Sequence, residues 1–156
     1  MRGIAGLALY VGAALAAWTL GAAEIPAGTT RLFTEAATVD EALSGPGALE
    51  VNIPNAYAPV YDAKTGWSGV VALTADNGAW SGDMTILSGG VLVSNLTALG
   101  TGCIKMHPRT ALIVAVSYKD AGQSLKEKVI DRIEVQNPDN LAEPDLWVSF
   151  QVQGEG

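Results

Sequence analysis

The sequence predicts an all-β domain: an antiparallel β-sandwich or jelly roll of about eight or nine short strands with one short helix, preceded by an apolar N-terminal helix. Short runs of alternating apolar and polar residues indicate strands with one buried face. Turn residues separate these runs roughly every 8–12 residues, which is typical of sandwiches and barrels. The strand–helix alternation of parallel sheets is missing and no internal repeat stands out, so we expect no parallel sheet.

The N-terminus predicts export. Met1-Arg2-Gly3 is followed by a stretch from Ile4 to Ala23 without a charged residue, the pattern of a secretory signal. We expect cleavage after Ala23, which divides the chain into residues 1–23 and a domain of residues 24–156. Because a membrane-spanning helix needs roughly 20 apolar residues, two alternatives stay open: a retained membrane anchor, or a helix packed in the core of a filament.

One short helix is predicted near the start of the domain. Thr38-Val39-Asp40-Glu41 has the spacing of a capping box, in which the first and fourth side chains bond each other's backbone N–H groups. Ala42 and Leu43 continue the helix, and Gly45-Pro46-Gly47 ends it after one or two turns.

The rest of the domain has the composition of strands and turns. The predicted strands are residues 48–53, 60–61, 67–75, 80–87, 91–96, 110–118, 126–135 and 146–152. Asp76-Asn77-Gly78 predicts a tight hairpin turn. Segment 110–118 is apolar on both faces, which indicates a central strand covered on both sides. Segment 146–152 alternates strictly, so we expect an edge strand that completes its own sheet or pairs with a neighbouring subunit.

Composition excludes several classes of function. With 9 basic and 16 acidic residues the net charge is −7, and scattered cations on an acidic chain do not suit nucleic-acid binding. One histidine and one cysteine, with no nucleophile or metal motif, predict no enzymatic activity, no catalytic residue, no metal and no cofactor. Cys103 is free or forms an intermolecular disulfide. Calcium binding at Asp76, Asn77 and Asp83 is left open, although a hairpin turn accounts for these residues better.

Four aromatic residues give the only indication of a ligand. Tyr57, Tyr61, Trp67 and Trp80 lie on neighbouring predicted strands and the loop before them. Exposed aromatic rings form platforms for sugars or anchors for protein partners. The simpler interpretation is that these rings fill the core.

These observations favour a non-enzymatic structural subunit that is secreted or lies at the cell surface. We expect self-association, as an oligomer, a filament or a virion-like shell, through sheet edges and apolar contacts. The layout is similar to that of archaeal pilins and of secreted jelly-roll filament subunits, but Glu24 and Pro26 interrupt the apolar stretch where pilin helices continue. The alternative is a secreted β-sandwich module that binds carbohydrate. A membrane is contacted only if residues 4–23 are retained.

Overall fold

Most strands of this chain do not pair with the next strand in sequence, as they would in a hairpin. The chain winds in successive turns, which we call coils, and most strands pair in parallel with the strand at the same position in the next coil. The computed structural model describes residues 8–11, 23–54, 61–62, 64, 66–116, 124–143 and 145–153. The strands, in chain order, are β1 (Ala8–Val11), β2 (Ala23–Glu24), β3 (Thr30–Phe33), β4 (Ala37–Val39), β5 (Leu43–Gly45), β6 (Ala48–Asn52), β7 (Tyr61–Asp62), β8 (Gly66–Trp67), β9 (Val70–Leu73), β10 (Ala79–Trp80), β11 (Met84–Val93), β12 (Ile104–Met106), β13 (Thr110–Ala115), β14 (Ile133–Val135) and β15 (Val148–Gln153). The helical elements among the described residues are α1 (Ser124–Lys128) and two 3-10 helices, Leu96–Leu99 and Ile130–Arg132.

The parallel ladders form three faces around one core. Face 1 contains β2, β5 and β10. Face 2 contains β3, β6, the first half of β11, β12 and β14. Face 3 contains β4, β9, the second half of β11, β13 and β15. The chain visits the faces in the same order in each coil, with helical segments at the position of face 1 in the last two, so the described residues form a parallel β-helix of five coils.

Two pairs of the described strands are antiparallel. β1 lies along the outer edge of β3, at the start of face 2. β7 and β8 form a hairpin inserted between β6 and β9, with Tyr61 opposite Trp67.

Glycine makes tight corners between faces 1 and 2. A Cβ atom on Gly82 would overlap the carbonyl oxygen of Gly47, and one on Gly102 would overlap the carbonyl oxygen of Gly82. Each corner therefore rests directly on the backbone of the preceding coil. Gly89, at φ +89°, turns β11 from face 2 to face 3, a conformation that side chains with a Cβ rarely adopt.

Two side chains tie neighbouring coils together inside the core. The amide of Asn77 accepts a hydrogen bond from the N–H of Leu43 at 2.8 Å and donates one to the carbonyl of Ala98 at 2.7 Å. The indole N–H of Trp80 donates to the carbonyl of Gly47 at 2.8 Å. Both residues are fully buried, so these bonds satisfy backbone groups that water does not reach.

The predicted antiparallel sandwich or jelly roll is wrong. The described residues are mostly β, with one short α-helix, but the sheets are mostly parallel. An alternating pattern reports that one face of a strand is buried; it does not report the direction of the neighbouring strand. Each coil brings the chain back to the same face, so parallel pairing here needs no crossover helix.

Two local predictions are also wrong. The segment predicted as a capped helix contains β4 and the start of β5, and Val39 is buried in the core. Asn77 does not make a hairpin turn, because β9 and β11 are parallel. The predicted apolar N-terminal helix lies for the most part outside the described residues; the described part of that stretch, Ala8–Val11, is a strand. Within the described ranges no helix has the length and apolar character to cross a bilayer.

Several strand predictions are confirmed. β6 and the first half of β11 point alternate apolar residues inward, as predicted. β13 is central, between β11 and β15, and is buried on both faces. Its outward residues Ala111 and Ile113 pack with Val70 and Leu92 in a second apolar cluster outside face 3. In the segment 126–135, by contrast, only the last three residues form a strand.

Candidate functional site

Side chains that point into the core at the same position in successive coils form what we call inward rows. The exposure of these rows differs between the two ends of the β-helix. Phe33, Val51, Ile86, Met106 and Val135 form one row along face 2. The first four are fully buried, whereas Val135 is 52% exposed. The apolar core is therefore open where the fifth coil ends.

Face 3 shows the same change. Val39, Leu73, Val93, Val114 and Val152 form an inward row in which the first four residues are buried and the last is half-buried. In the neighbouring row Leu112 is fully buried and Phe150, the next residue along, is half-buried.

Exposed hydrophobic side chains concentrate in this last coil. Among the described residues, the large hydrophobic side chains with high exposure are Ile130, Val135 and Trp147. Single exposed hydrophobic residues are ordinary on protein surfaces, but their concentration beside open core rows is typical of an interaction surface. We call β14, β15, Ile130 and Trp147 together the open end.

No described residue gives the edge strand of the open end the usual protection. Over the part of the chain that the structure describes, β15 pairs only with β13. Its sequence, Val-Ser-Phe-Gln-Val-Gln, contains no charge, proline or glycine. Natural edge strands are commonly shielded by charged residues, proline or bulges, because unpaired backbone groups attract other strands. β15 therefore has the composition of a strand that accepts a partner.

Polar contacts fix the fifth coil to the fourth. The guanidinium of Arg132 donates to the carbonyl groups of Gly102, Lys128 and Leu99, at 2.8, 2.6 and 2.9 Å. Arg109 forms an ion pair with Asp145 at 2.8 Å, and its backbone N–H donates to the carbonyl of Trp147. The open end is thus held in place by the coil beneath it.

A small cluster of ionisable groups lies where β12 meets β14. Burial raises the pKa of the Cys103 thiol, and the Glu134 carboxylate, 3.5 Å from the sulfur, raises it further. The backbone N–H of Cys103 donates to Asp83, which also pairs with Lys105 at 3.2 Å; these contacts lower the pKa of Asp83. A raised thiol pKa favours the unreactive protonated form, so this geometry does not make Cys103 a nucleophile.

The first coil closes the opposite end with a charged residue. Arg31 occupies the inward row that continues through Leu49, Met84, Ile104 and Ile133. It is 6% exposed, and its guanidinium pairs with Glu41 at 3.2 Å. The same group lies 5.0 Å from the centre of the Phe33 ring, within range of a cation–π interaction.

The structure describes three of the four aromatic residues predicted to bind a ligand. Trp80 is fully buried in the core, so its side chain offers no surface. Tyr61 and Trp67 lie opposite each other in the β7–β8 hairpin. Tyr57 lies outside the described residues.

The three residues considered for calcium are engaged separately. Asn77 is buried between coils, Asp76 accepts from the N–H of Gly78 at 2.9 Å, and Asp83 belongs to the Cys103 cluster. Among the described residues no group of three or more His, Cys, Asp or Glu side chains is arranged to hold a metal ion.

Comparison with protein-family models, with curated proteins and with solved structures finds no match to this chain. Sequence reasoning identified β15 as a candidate pairing edge but missed Ile130, Val135 and Trp147. Their exposure follows from their position in the last coil, which no alternation pattern reveals.

Proposed function

We propose that this protein is a structural subunit that self-associates through its open end. The observation that carries the proposal is the contrast within single inward rows, where equivalent residues are buried in four coils and exposed or half-buried in the fifth. Contact with another chain would bury these side chains, and burial of apolar surface is the main favourable contribution to most protein association.

Hydrogen bonding supports the same role. An open strand edge offers a row of backbone donors and acceptors that a further strand satisfies, while alternate side chains contribute apolar contacts. β15 is six residues long and uncharged, which suits strand addition better than the three-residue β14 with its Glu134.

Sedimentation velocity over a range of concentrations tests the proposal. We expect species larger than the 16.1 kDa chain that dissociate on dilution. Val135→Lys should weaken this association, because it places a charge on the open core row. Thr85→Lys, on the outward side of the same face in the third coil, makes the same change in net charge and should leave association unchanged. A wild-type chain that stays monomeric at all concentrations would contradict the proposal.

Export is part of the proposed function, on the evidence of the uncharged stretch from Ile4 to Ala23. Intact mass of the protein from its native source distinguishes the alternatives. A chain that begins at Glu24 supports secretion of a released subunit, and a full-length chain supports retention at a membrane. A cut near Gly3 supports a filament helix.

Carbohydrate binding is the second candidate function. The observation that favours it is the register of the β7–β8 hairpin, which sets Tyr61 directly opposite Trp67, since two aromatic residues on neighbouring strands suit a small sugar platform. Tryptophan fluorescence during titration with soluble glycans tests it. Binding that disappears in Trp67→Ala but remains in Val135→Lys supports a site at the hairpin; no change with any glycan contradicts it.

A further inference from the structure

The open end is suited to a second copy of itself. We infer that two full chains join tail to tail about a two-fold axis, with β15 of one copy antiparallel to β15 of the other. This inference rests on the self-association proposed above and adds the geometry of the contact.

Charge favours this arrangement. The chain has a net charge of −7, so two copies repel each other over most of their surfaces. β15 contains no charged residue and is the longest strand at the open end. Two copies that meet along β15 therefore bring together uncharged backbone and half-buried apolar side chains.

Strand geometry permits self-pairing. Side chains alternate between the two faces of a strand, so an antiparallel pair in which inward residues oppose inward residues keeps both apolar rows in the core. In β15 the inward residues are Val148, Phe150 and Val152. Pairing of Val148 with Val152 of the other copy, with Phe150 beside the axis, satisfies this condition.

Head-to-tail stacking is disfavoured by the opposite end. In that arrangement Ile133 of one copy would stack on Arg31 of the next, because both belong to the same inward row. Because Arg31 is already buried and paired with Glu41, Ile133 would meet a charged group there and not another exposed apolar side chain, so this contact buries less apolar surface than a contact between two open ends. In the full chain β1 also occupies the free edge of β3. A two-fold contact uses neither feature, and it closes at a pair.

Distances between spin labels test the geometry. Thr38 and Gln151 are the first and last residues of one outward row of face 3. Stacked strands lie about 4.8 Å apart, so these two positions are about 19 Å apart along the coil axis. Each is replaced by cysteine and labelled, separately, in a full chain that carries Cys103→Ser. Light scattering first checks that each labelled chain retains the mass of the wild-type assembly.

The two arrangements give different distances. Tail-to-tail pairing places the two Gln151 backbones within about 10 Å of each other and the two Thr38 backbones about 43 Å apart. Head-to-tail stacking places both equivalent pairs about 24 Å apart. A long Thr38 distance with strong short-range broadening at position 151 is the expected result. Equal intermediate distances would overturn the tail-to-tail geometry while leaving self-association intact, whereas a monomeric wild-type chain would overturn the proposed function itself.

Discussion

Phe33 and Val135 lie at opposite ends of the same inward row, and they differ completely in exposure. Phe33 is fully buried and Val135 is 52% exposed. At the first coil the row is covered by the guanidinium of Arg31, and β1 extends the sheet outward. At the last coil the described residues provide neither cover nor a further strand. The difference shows that the coil in which an apolar residue lies, and not its residue type, decides whether its side chain is buried or exposed.

The corner between faces 1 and 2 also differs between the middle coils and the last coil. In the second to fourth coils the corner between faces 1 and 2 is made by Gly47, Gly82 and Gly102, packed backbone on backbone. At the equivalent place in the fifth coil the register puts Asp131, within a 3-10 helix. Terminal units of repeat proteins are commonly atypical and polar where they face water. The corner of the last coil fits that rule, because Asp131 is charged and exposed, but the same coil also exposes the apolar side chains of Ile130, Val135 and Trp147.

The largest effect is expected at a closed corner. In Gly82→Ala the new methyl group would overlap the carbonyl oxygen of Gly47, and the backbone cannot move aside without separating two coils. We expect a loss of about 4–5 kcal/mol or more in the free energy of unfolding, in the exceptional class for one substitution. Urea denaturation followed by circular dichroism measures it. Gly78→Ala, where the nearest contact is a side-chain oxygen at 3.2 Å, is the matched control; equal losses in both variants would contradict the stacked corner.

The next effect compares the two ends of one row directly. Phe33→Ala removes a fully buried ring and should cost about 3–5 kcal/mol. Val135→Ala should cost less than about 1 kcal/mol, because the side chain is already largely in water. Both values come from urea unfolding at low protein concentration, where association does not contribute. A large loss for Val135→Ala under these conditions would show that the last coil is covered in the isolated chain.

The strands could be predicted because burial leaves an alternating pattern whichever way the neighbouring strand runs. β6 and the first half of β11 were found for this reason, whereas β13 was found because it is apolar on both faces. The direction of pairing could not be predicted in the same way, since turn residues at a β-helix corner are the same types as in a hairpin. Asn77 illustrates the point: followed by glycine it has the composition of a tight turn, yet its amide joins two coils inside the core.

A signal for the β-helix was present in the sequence. A glycine followed by apolar residues two and four positions later begins at Gly47, Gly82 and Gly102. The intervals are 35 and 20 residues because the second coil contains the β7–β8 hairpin. Unequal spacing hides a repeat from a search for a fixed period. The helix predicted from the capping box at Thr38 does not form, because long-range pairing of β4 with β9 overrides a local helix preference.

A moderate effect is expected at the amide that joins the coils. Asn77→Ala leaves the N–H of Leu43 and the carbonyl of Ala98 without partners inside the core. Each unsatisfied group costs about 1–3 kcal/mol, and we expect a total loss of about 2–4 kcal/mol, since small movements relieve part of it. Hydrogen exchange at the Leu43 amide should accelerate more than at the amides of β13. Unchanged exchange at Leu43 would contradict the role of Asn77 as the link between coils.

The smallest expected effect is on the rate of alkylation of Cys103. This rate tests whether the last coil stays paired with the fourth. Burial and the Glu134 carboxylate raise the pKa of the Cys103 thiol, so at pH 8 less thiolate is present than in a free peptide, and alkylation by iodoacetamide should be slower. Glu134→Gln removes the negative charge, lowers the pKa of the thiol and should accelerate alkylation several-fold at that pH. Because the pKa of the thiol is lower in this variant, the curve of alkylation rate against pH should also shift toward lower pH. Glu127→Gln, on the exposed face of α1, changes the net charge equally and should have no effect. If wild-type and Glu134→Gln chains react at the same rate, β14 does not remain paired with β12 in solution, and the open end lies one coil earlier than the structure places it.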